Sequence, residues 1–461
     1  MYVSKLEISG IRGFEGHREV NLDFARESGT YAGWTVLAGR NGSGKTTLLQ
    51  AIALALTGQY FVRDIESWRG SHSTINSWIR VTVLQDQIFD GGLDFGPWTF
   101  ELRWDEPGNS YPEPKWADYG GKRRAPKNMR FANGDGWFYA GYGPFRRLSS
   151  AALGGHDTKS HARYAGLRTL FDEDVSLIEG VSWLVEQHLY RLEKKPGAED
   201  LLDTVLTLLG DGMLPDGYRI CRVDSDGLWV RRGSEEFALR QMSDGYRTVT
   251  ALVVDIIRQM HLAYGRLRLE ESEGVYYLAY PGVVLIDEIE AHLHVSWQKK
   301  IGEWLKIHFP AVQFLVTTHS PYICQSADSN GLVRLPAPEE PESPKVVDLD
   351  LYERVVYGSG DDAVLTDLFG VDTPYSTRAE EMRRRLGNLE TKVLAGTASP
   401  AEIDEYQALS ETLTSSLTAR VDEVPHASDA KSDSRFTRSA KQQPLGTFGT
   451  TDGQIAQLRR G

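Results

Sequence analysis

Gly39-Arg40-Asn41-Gly42-Ser43-Gly44-Lys45-Thr46 fits G-x-x-x-x-G-K-[ST] at every constrained position. Such a loop does one kind of chemistry. Its glycines let successive backbone N–H groups, here from Arg40 through Thr47, curl around phosphate oxygens. Lys45 reaches the β- and γ-phosphates of a nucleotide, and the Thr46 hydroxyl ligates Mg²⁺. The following helix points its positive end at the same anion. The octapeptide can arise by chance, so its flanks matter. Trp34–Leu37 reads as a strand before it, and Thr46–Leu56 is apolar nearly all round, as a buried helix is.

A second set of groups ends an apolar run. Val283-Val284-Leu285-Ile286 suits a buried parallel strand, and Asp287-Glu288 follow it. Alone, the two acids read as a solvated turn. Beside a phosphate loop, Asp287 can hold the Mg²⁺ ion and Glu288 can activate the attacking water. The run Val312–Thr317 precedes Thr318-His319-Ser320-Pro321. His319, at the end of a strand of the same expected sheet, can sense the γ-phosphate or place a water. The catalytic set is therefore Lys45, Glu288 and His319, with Thr46 and Asp287 on the metal.

The elements that must position these groups alternate between buried strands and helices, which predicts an α/β fold. Residues 2–8 and 18–24 read as strands. Between about 60 and 130 the chain reads as an insertion with hairpin character, its strands at Trp78–Leu84 and Trp98–Trp104. Helix is expected from about 172 to 210, then strands at Tyr218–Val223 and Gly227–Arg231. Residues 243–263 and Trp297–His308 read as helices. After a Pro- and Glu-rich linker at 336–345, Thr377 with Glu380 and Ser399 with Glu402 look like capping boxes opening a helical hairpin. Asp348 and Asp350 read as exposed alternation on a strand. The chain beyond about 424 has little to bury and is expected to be disordered.

Together these segments resemble the ABC-class ATPases, in the RecF, SMC and OLD branch. Gly39–Thr46 looks like the Walker A loop, Val283–Glu288 like Walker B with its glutamate, and His319 like the switch histidine. Met242-Ser243-Asp244-Gly245-Tyr246-Arg247 looks like the signature segment that covers ATP on a partner subunit. The resemblance implies that Ser243 and Gly245 contact nucleotide across a head-to-tail dimer; Asp244 departs from the usual glycine. Bottom-up, Ser243 and Gly245 open a helix whose N–H groups can meet an anion. The His292-x-His294 pair after Walker B reads as structural. The Q-loop is expected near Phe138–Pro144, followed by Arg146 and Arg147, but no glutamine stands there. Lys45 and Ser243 lie 198 positions apart, Ser243 and Asp287 44 apart, intervals longer than a transporter subunit has. The first holds strands and glycines, not the heptads of a coiled coil.

The implied architecture is an ABC-type P-loop head, a mixed sheet with flanking helices, plus an inserted β/α region and a C-terminal helical hairpin. The expected segments are 1–60 with Walker A, 61–236 as an insertion or lid, 237–335 with the remaining motifs, 336–423 as linker and hairpin, and 424–461 as a tail.

Composition narrows the rest. In 461 residues, 41% are hydrophobic and 25% charged, as in an ordinary globular protein. No run of 18 apolar residues offers a membrane span, and the first ten residues alternate like a strand rather than a signal peptide. Cys221 and Cys324 are far apart, which argues against a disulfide framework or a zinc hook and for a cytoplasmic location. A net charge of −13 argues against a general nucleic-acid footprint. Lys122, Arg123, Arg124, Lys127 and Arg130 could touch a phosphate backbone but read first as a solvated loop, and Arg383–Arg385 carry the same ambiguity. OLD-type nucleases carry a metal-dependent domain after the ATPase; its motifs are not evident here, so no intrinsic nuclease is expected.

With GYGPFRRLS at 141–149, MSDGYR at 242–247, DEIEAHLH at 287–294 and YGSGDDAVLTDLFGV at 357–371 ahead of the helical hairpin, the pattern resembles the Septu-type and retron-associated anti-phage defence ATPases. The resemblance implies an ATPase, working with ATP and Mg²⁺ as a head-to-tail dimer or larger oligomer, that controls an effector such as an HNH-type nuclease or a toxin. The alternatives are a RecF-like repair ATPase that clamps DNA, and a scaffold that keeps ATP as a structural ligand.

Overall fold

The computed structural model describes residues 1–57, 68, 77–90, 97–104, 113–117, 137–146, 166–172, 177–371 and 373–426, with the backbone alone for 113–117, 178–179 and 414–426. The basic cluster at 122–130, Arg147, and the tail from 427 lie outside these residues. The chain forms two compact units, Met1–Pro374 and Tyr375–Gly461.

The first unit begins with β1 (Tyr2–Ser9), β2 (Val20–Asp23), β3 (Gly33–Ala38) and α1 (Lys45–Thr57). Next come β4 (Ser77–Leu84), β5 (Trp98–Trp104), β6 (Glu113–Ala117) and β7 (Tyr139–Tyr142). Helices α2 (Ile178–Leu192) and α3 (Ala198–Gly210) precede a small antiparallel sheet of β8 (Arg219–Asp224), β9 (Gly227–Arg232) and β10 (Glu235–Ala238). Then follow α4 (Asp244–Tyr264), the ribbon β11 (Glu270–Ser272) and β12 (Val275–Tyr277), and β13 (Gly282–Ile286). The expected single helix 297–308 is two: α5 (Val295–Gln298) and α6 (Ile301–His308). After them come β14 (Val312–Thr318), α7 (Pro321–Cys324), β15 (Leu332–Arg334), β16 (Lys345–Val346), α8 (Leu349–Val356) and α9 (Gly360–Val364).

The central sheet has the order β16-β15-β3-β14-β13-β7, parallel except at the β16 edge. Its middle strands are apolar on both faces because both are covered. Val283, Leu285, Leu315 and Leu37 face α1, while Val284, Ile286, Phe314, Val316 and Trp34 join the core containing α4, α2 and α3. Each such fully buried side chain contributes about 1.5–3 kcal/mol. The all-round apolar α1 is explained by a second sheet on its other side, of order β2-β1-β4-β5-β6. There β4 pairs with β1 from Tyr2↔Leu84 to Ser9↔Trp78 and β5 pairs with β4, so these two strands complete the N-terminal sheet rather than hang from it. Buried Gln313 ties the sheets together: its amide donates to Val3 O at 2.8 Å and accepts from Val3 N–H at 2.7 Å, beside a register shift in β1. No helix among the described residues is long and apolar enough to cross a membrane.

Asp348 is not on a strand. It is the N-cap of α8, its carboxylate accepting from Leu351 N–H at 2.9 Å. The short apolar alternation there fits a helix equally well, with Leu351 and buried Val355 one turn apart. Asp348→Ala should therefore cost about 1 kcal/mol in chemical denaturation, as a lost N-cap does.

The second unit holds α10 (Thr377–Leu394) and α11 (Pro400–His426). The cap of α10 is Ser376, not Thr377, and accepts from Ala379 N–H. Ser399 and Glu402 make the expected reciprocal pair, and Lys392 and Arg385 reach Glu402 and Glu405 across the hairpin.

Candidate nucleotide site

The phosphate loop leaves β3 through Gly39, where a Cβ would lie 2.3 Å from Leu335 O. Gly42 and Gly44 take φ of +77° and +96°, a region that favours glycine. A Cβ on Gly44 would also meet the Phe14 ring at 2.4 Å. From beneath, the buried Arg18 guanidinium donates to Ser43 O at 2.9 Å and Pro336 O at 3.2 Å. Arg40 is exposed and donates to Gly370 O, Asn41 is exposed, and Thr47 is buried in α1.

Lys45 bends back into this loop. Its ammonium donates to Gly39 O at 2.8 Å and Arg40 O at 3.0 Å. Burial pulls it down to about 8, against the charges of Asp287, Glu290 and Glu288. Displacing two carbonyls with phosphate oxygens would satisfy it better.

Strand β13 delivers the acids. The Thr46 hydroxyl donates to Asp287 Oδ2 at 2.8 Å, and Thr317 Oγ1 donates to Asp287 Oδ1. Asp287 N–H donates to Tyr142 O at 2.8 Å, stitching β13 to β7. Glu288 N–H donates to Thr317 Oγ1 at 2.8 Å, and Glu288 sits at φ +46°, unusual for a side-chain-bearing residue. Its carboxyl lies above the ordinary range, through burial first and then Asp287 and Glu290. His319 follows β14; burial and the Lys45 charge hold its imidazole below the ordinary range. Glu290 accepts from Thr318 Oγ1 at 2.7 Å and from His319 N–H, locking the ends of β13 and β14 together.

The arrangement fits a magnesium triphosphate. The Ser43 hydroxyl is buried without a partner, in a loop whose glycines turn it inward. Thr46 and Asp287 converge as hard oxygen ligands of the type Mg²⁺ takes alongside phosphate and water. Among the described residues no group of three His, Cys, Asp or Glu could hold a metal by itself. His294 instead caps α5, accepting from Ser296 N–H.

Ser243 and Gly245 stand at the start of α4. Ser243 is the exposed N-cap position of α4, and a Cβ on Gly245 would sit 2.6 Å from His292 O. Among the described residues no hydrogen bond joins either to the phosphate loop.

Several residues carry this site without a sequence signal that marks them. Thr317 and Glu290 occur inside quoted motifs but have no expected task. Arg146 is buried and donates to Asp287 O and Glu288 O. Tyr142 donates to buried Asp255 of α4 at 3.0 Å, where Arg258 and Gln259 also converge. Tyr142→Phe removes one bond to a buried carboxylate and should lower stability by about 1–3 kcal/mol in denaturant titration.

Comparison with known proteins finds two matching families. Residues 5–83 match a family described as an AAA domain. Residues 190–325 match one described as an AAA domain, putative AbiEii toxin, type IV toxin–antitoxin system. The first span holds the phosphate loop; the second holds Ser243, Asp287, Glu288 and His319. The Septu protein PtuA of Bacillus mycoides (strain KBAB4) is 27% identical over 321 residues, covering 69% of this chain and 38% of the relative. A retron Ec83 probable ATPase of Escherichia coli is 39% identical over 120 residues, covering 26% of this chain and 21% of the relative. Among solved structures, an SMC head bound to the C-terminal winged-helix domain of ScpA aligns with a TM-score of 0.47 at 16% identity, covering 76% of this chain and 98% of that one. The chain spans about two fifths or less of the curated relatives it matches. The chain thus carries two segments that match AAA-domain families, the phosphate loop in the first and the carboxylate strand in the second, and it is similar to Septu and retron ATPases.

Proposed function

We propose that the chain binds ATP with Mg²⁺, hydrolyses it at a site completed by a second copy, and uses that cycle to control an effector in anti-phage defence. The observation that carries the reading is the 2.8 Å bond from Thr46 to Asp287, which joins the phosphate loop to the carboxylate strand across 241 positions of sequence. Backbone N–H groups of the loop and Lys45 hold the phosphates, with Arg40, Asn41, Gly42, Ser43, Gly44 and Thr47 shaping the cradle. Thr46 and Asp287 hold Mg²⁺, which when bound offsets charge on the transferring phosphoryl group. Glu288 takes a proton from the attacking water, for which its raised basicity suits it. His319 faces the γ-phosphate end. Ser243 and Gly245, which make no hydrogen bond to the loop among the described residues, serve the partner copy's nucleotide, because a helix start suits an anion.

The effector reading is tested by capture. Tagged Glu288→Gln protein, held with ATP and Mg²⁺, should retain a stoichiometric nuclease-, reverse-transcriptase- or toxin-like chain, read by mass spectrometry. Recovery of DNA alone, with hydrolysis stimulated by DNA and weakened steeply by salt, would replace it with a repair ATPase that clamps DNA.

A further inference from the structure

Arg146 follows β7 by four residues and is 1% exposed, yet it carries a full charge. Burial pushes its guanidinium down to about 10, still protonated at neutral pH, with Asp287, Glu290 and Glu288 as the nearby acids. It does not form its hydrogen bonds with their carboxylates. Nη1 donates to Asp287 O at 2.7 Å, and Nη2 to Glu288 O at 2.8 Å and more distantly to Ile289 O at 3.5 Å. Its Nε is buried without a partner. A buried cation is costly to keep, and this one is incompletely satisfied. What the guanidinium fork does achieve is to grip the carbonyls on both sides of the left-handed Glu288.

We propose that Arg146 is a positioning residue for hydrolysis, clamping the Asp287–Ile289 backbone so that Glu288 keeps its strained conformation. This rests on the ATPase reading and adds to it a residue that touches neither metal nor nucleotide. The effect falls on Glu288 selectively. Asp287 stays anchored without Arg146, by Tyr142 O, Thr46 and Thr317. Glu288 keeps its N–H bond to Thr317 and the turn bond from Ala291 N–H to its carbonyl at 2.9 Å, but no side chain then grips its carbonyl among the described residues. The binding half of the site should thus survive while the hydrolytic half loosens.

The test compares Arg146→Gln and Arg146→Lys with the parent in steady-state hydrolysis and in equilibrium binding of a fluorescent ATP analogue. R146Q should lose about 10²-fold in kcat, the scale of a 1 Å misplacement, with nucleotide affinity within about threefold of the parent. R146K keeps the charge and one carbonyl contact, and should recover part of the loss. Parental kcat in R146Q, or affinity falling in step with kcat in both variants, overturns the proposal. If R146Q does not fold, R146K decides by hydrogen exchange: amides of 287–291 should exchange faster, and unchanged protection overturns it. Lys45→Ala run in parallel separates the two layers. Parental hydrolysis that survives Lys45→Ala discards the ATPase reading and this proposal with it. Hydrolysis that needs Lys45 but ignores Arg146 discards the proposal alone.

Discussion

Glu288→Gln protein is expected to bind ATP as the parent does and to hydrolyse it about 10²–10⁴ times more slowly, the usual worth of a positioned general base. The substitution is nearly isosteric. The backbone bonds that set the turn, from Glu288 N–H to Thr317 and from Arg146 to Glu288 O, do not involve the side chain and persist. What is lost is a carboxylate whose proton affinity burial and two neighbouring acids have raised. Single-turnover kinetics with a separate binding titration read the two quantities. Parental turnover would remove Glu288 from the reaction. Turnover and binding lost together would make it a structural residue.

Lys45→Ala should act earlier, on binding. Each hydrogen bond from a charged group to phosphate is worth about 1.5–3 kcal/mol, so losing the ammonium should weaken ATP roughly 10- to 10²-fold. Hydrolysis then falls at every accessible concentration. The empty protein should suffer little, because the amine is desolvated and pulled down to about 8 while donating only to two loop carbonyls. A melting comparison separates the effects. The parent should gain stability with saturating ATP and Mg²⁺, and the variant should show almost none of that gain at the same concentration. An equal gain in both would place the nucleotide away from Lys45.

Why these two changes are so informative traces back to how differently the parts of the site are encoded. The phosphate loop is local. Gly42 and Gly44 must turn left-handed, Lys45 must follow, and α1 must begin, all within eight residues, so the motif carries its own geometry. The strand ends carrying Asp287 and His319 are nearly as local, because aliphatic runs buried on both faces announce themselves. Helix starts were legible where a cap and its partner lie three residues apart, as at Ser399 and Glu402, and off by one at Ser376, where two hydroxyl residues compete. Asp348 misled because four residues of alternation suit strand and helix alike.

The residues that hold the site together were not legible. Arg146, Thr317 and Glu290 are ordinary types at ordinary spacings, and their partners lie up to 143, 30 and 29 positions away. Nor did the sequence reveal that β4 would pair with β1, since antiparallel pairing across roughly 70 residues leaves no periodic trace. By itself, then, the sequence determined the chemistry on offer: a phosphate loop, two acids and a histidine at strand ends, and an α/β scaffold to carry them. Tertiary structure alone decided which groups meet. Hydrogen bonds between strand ends depend on register and packing, and those are set by the whole core rather than by any segment of the chain.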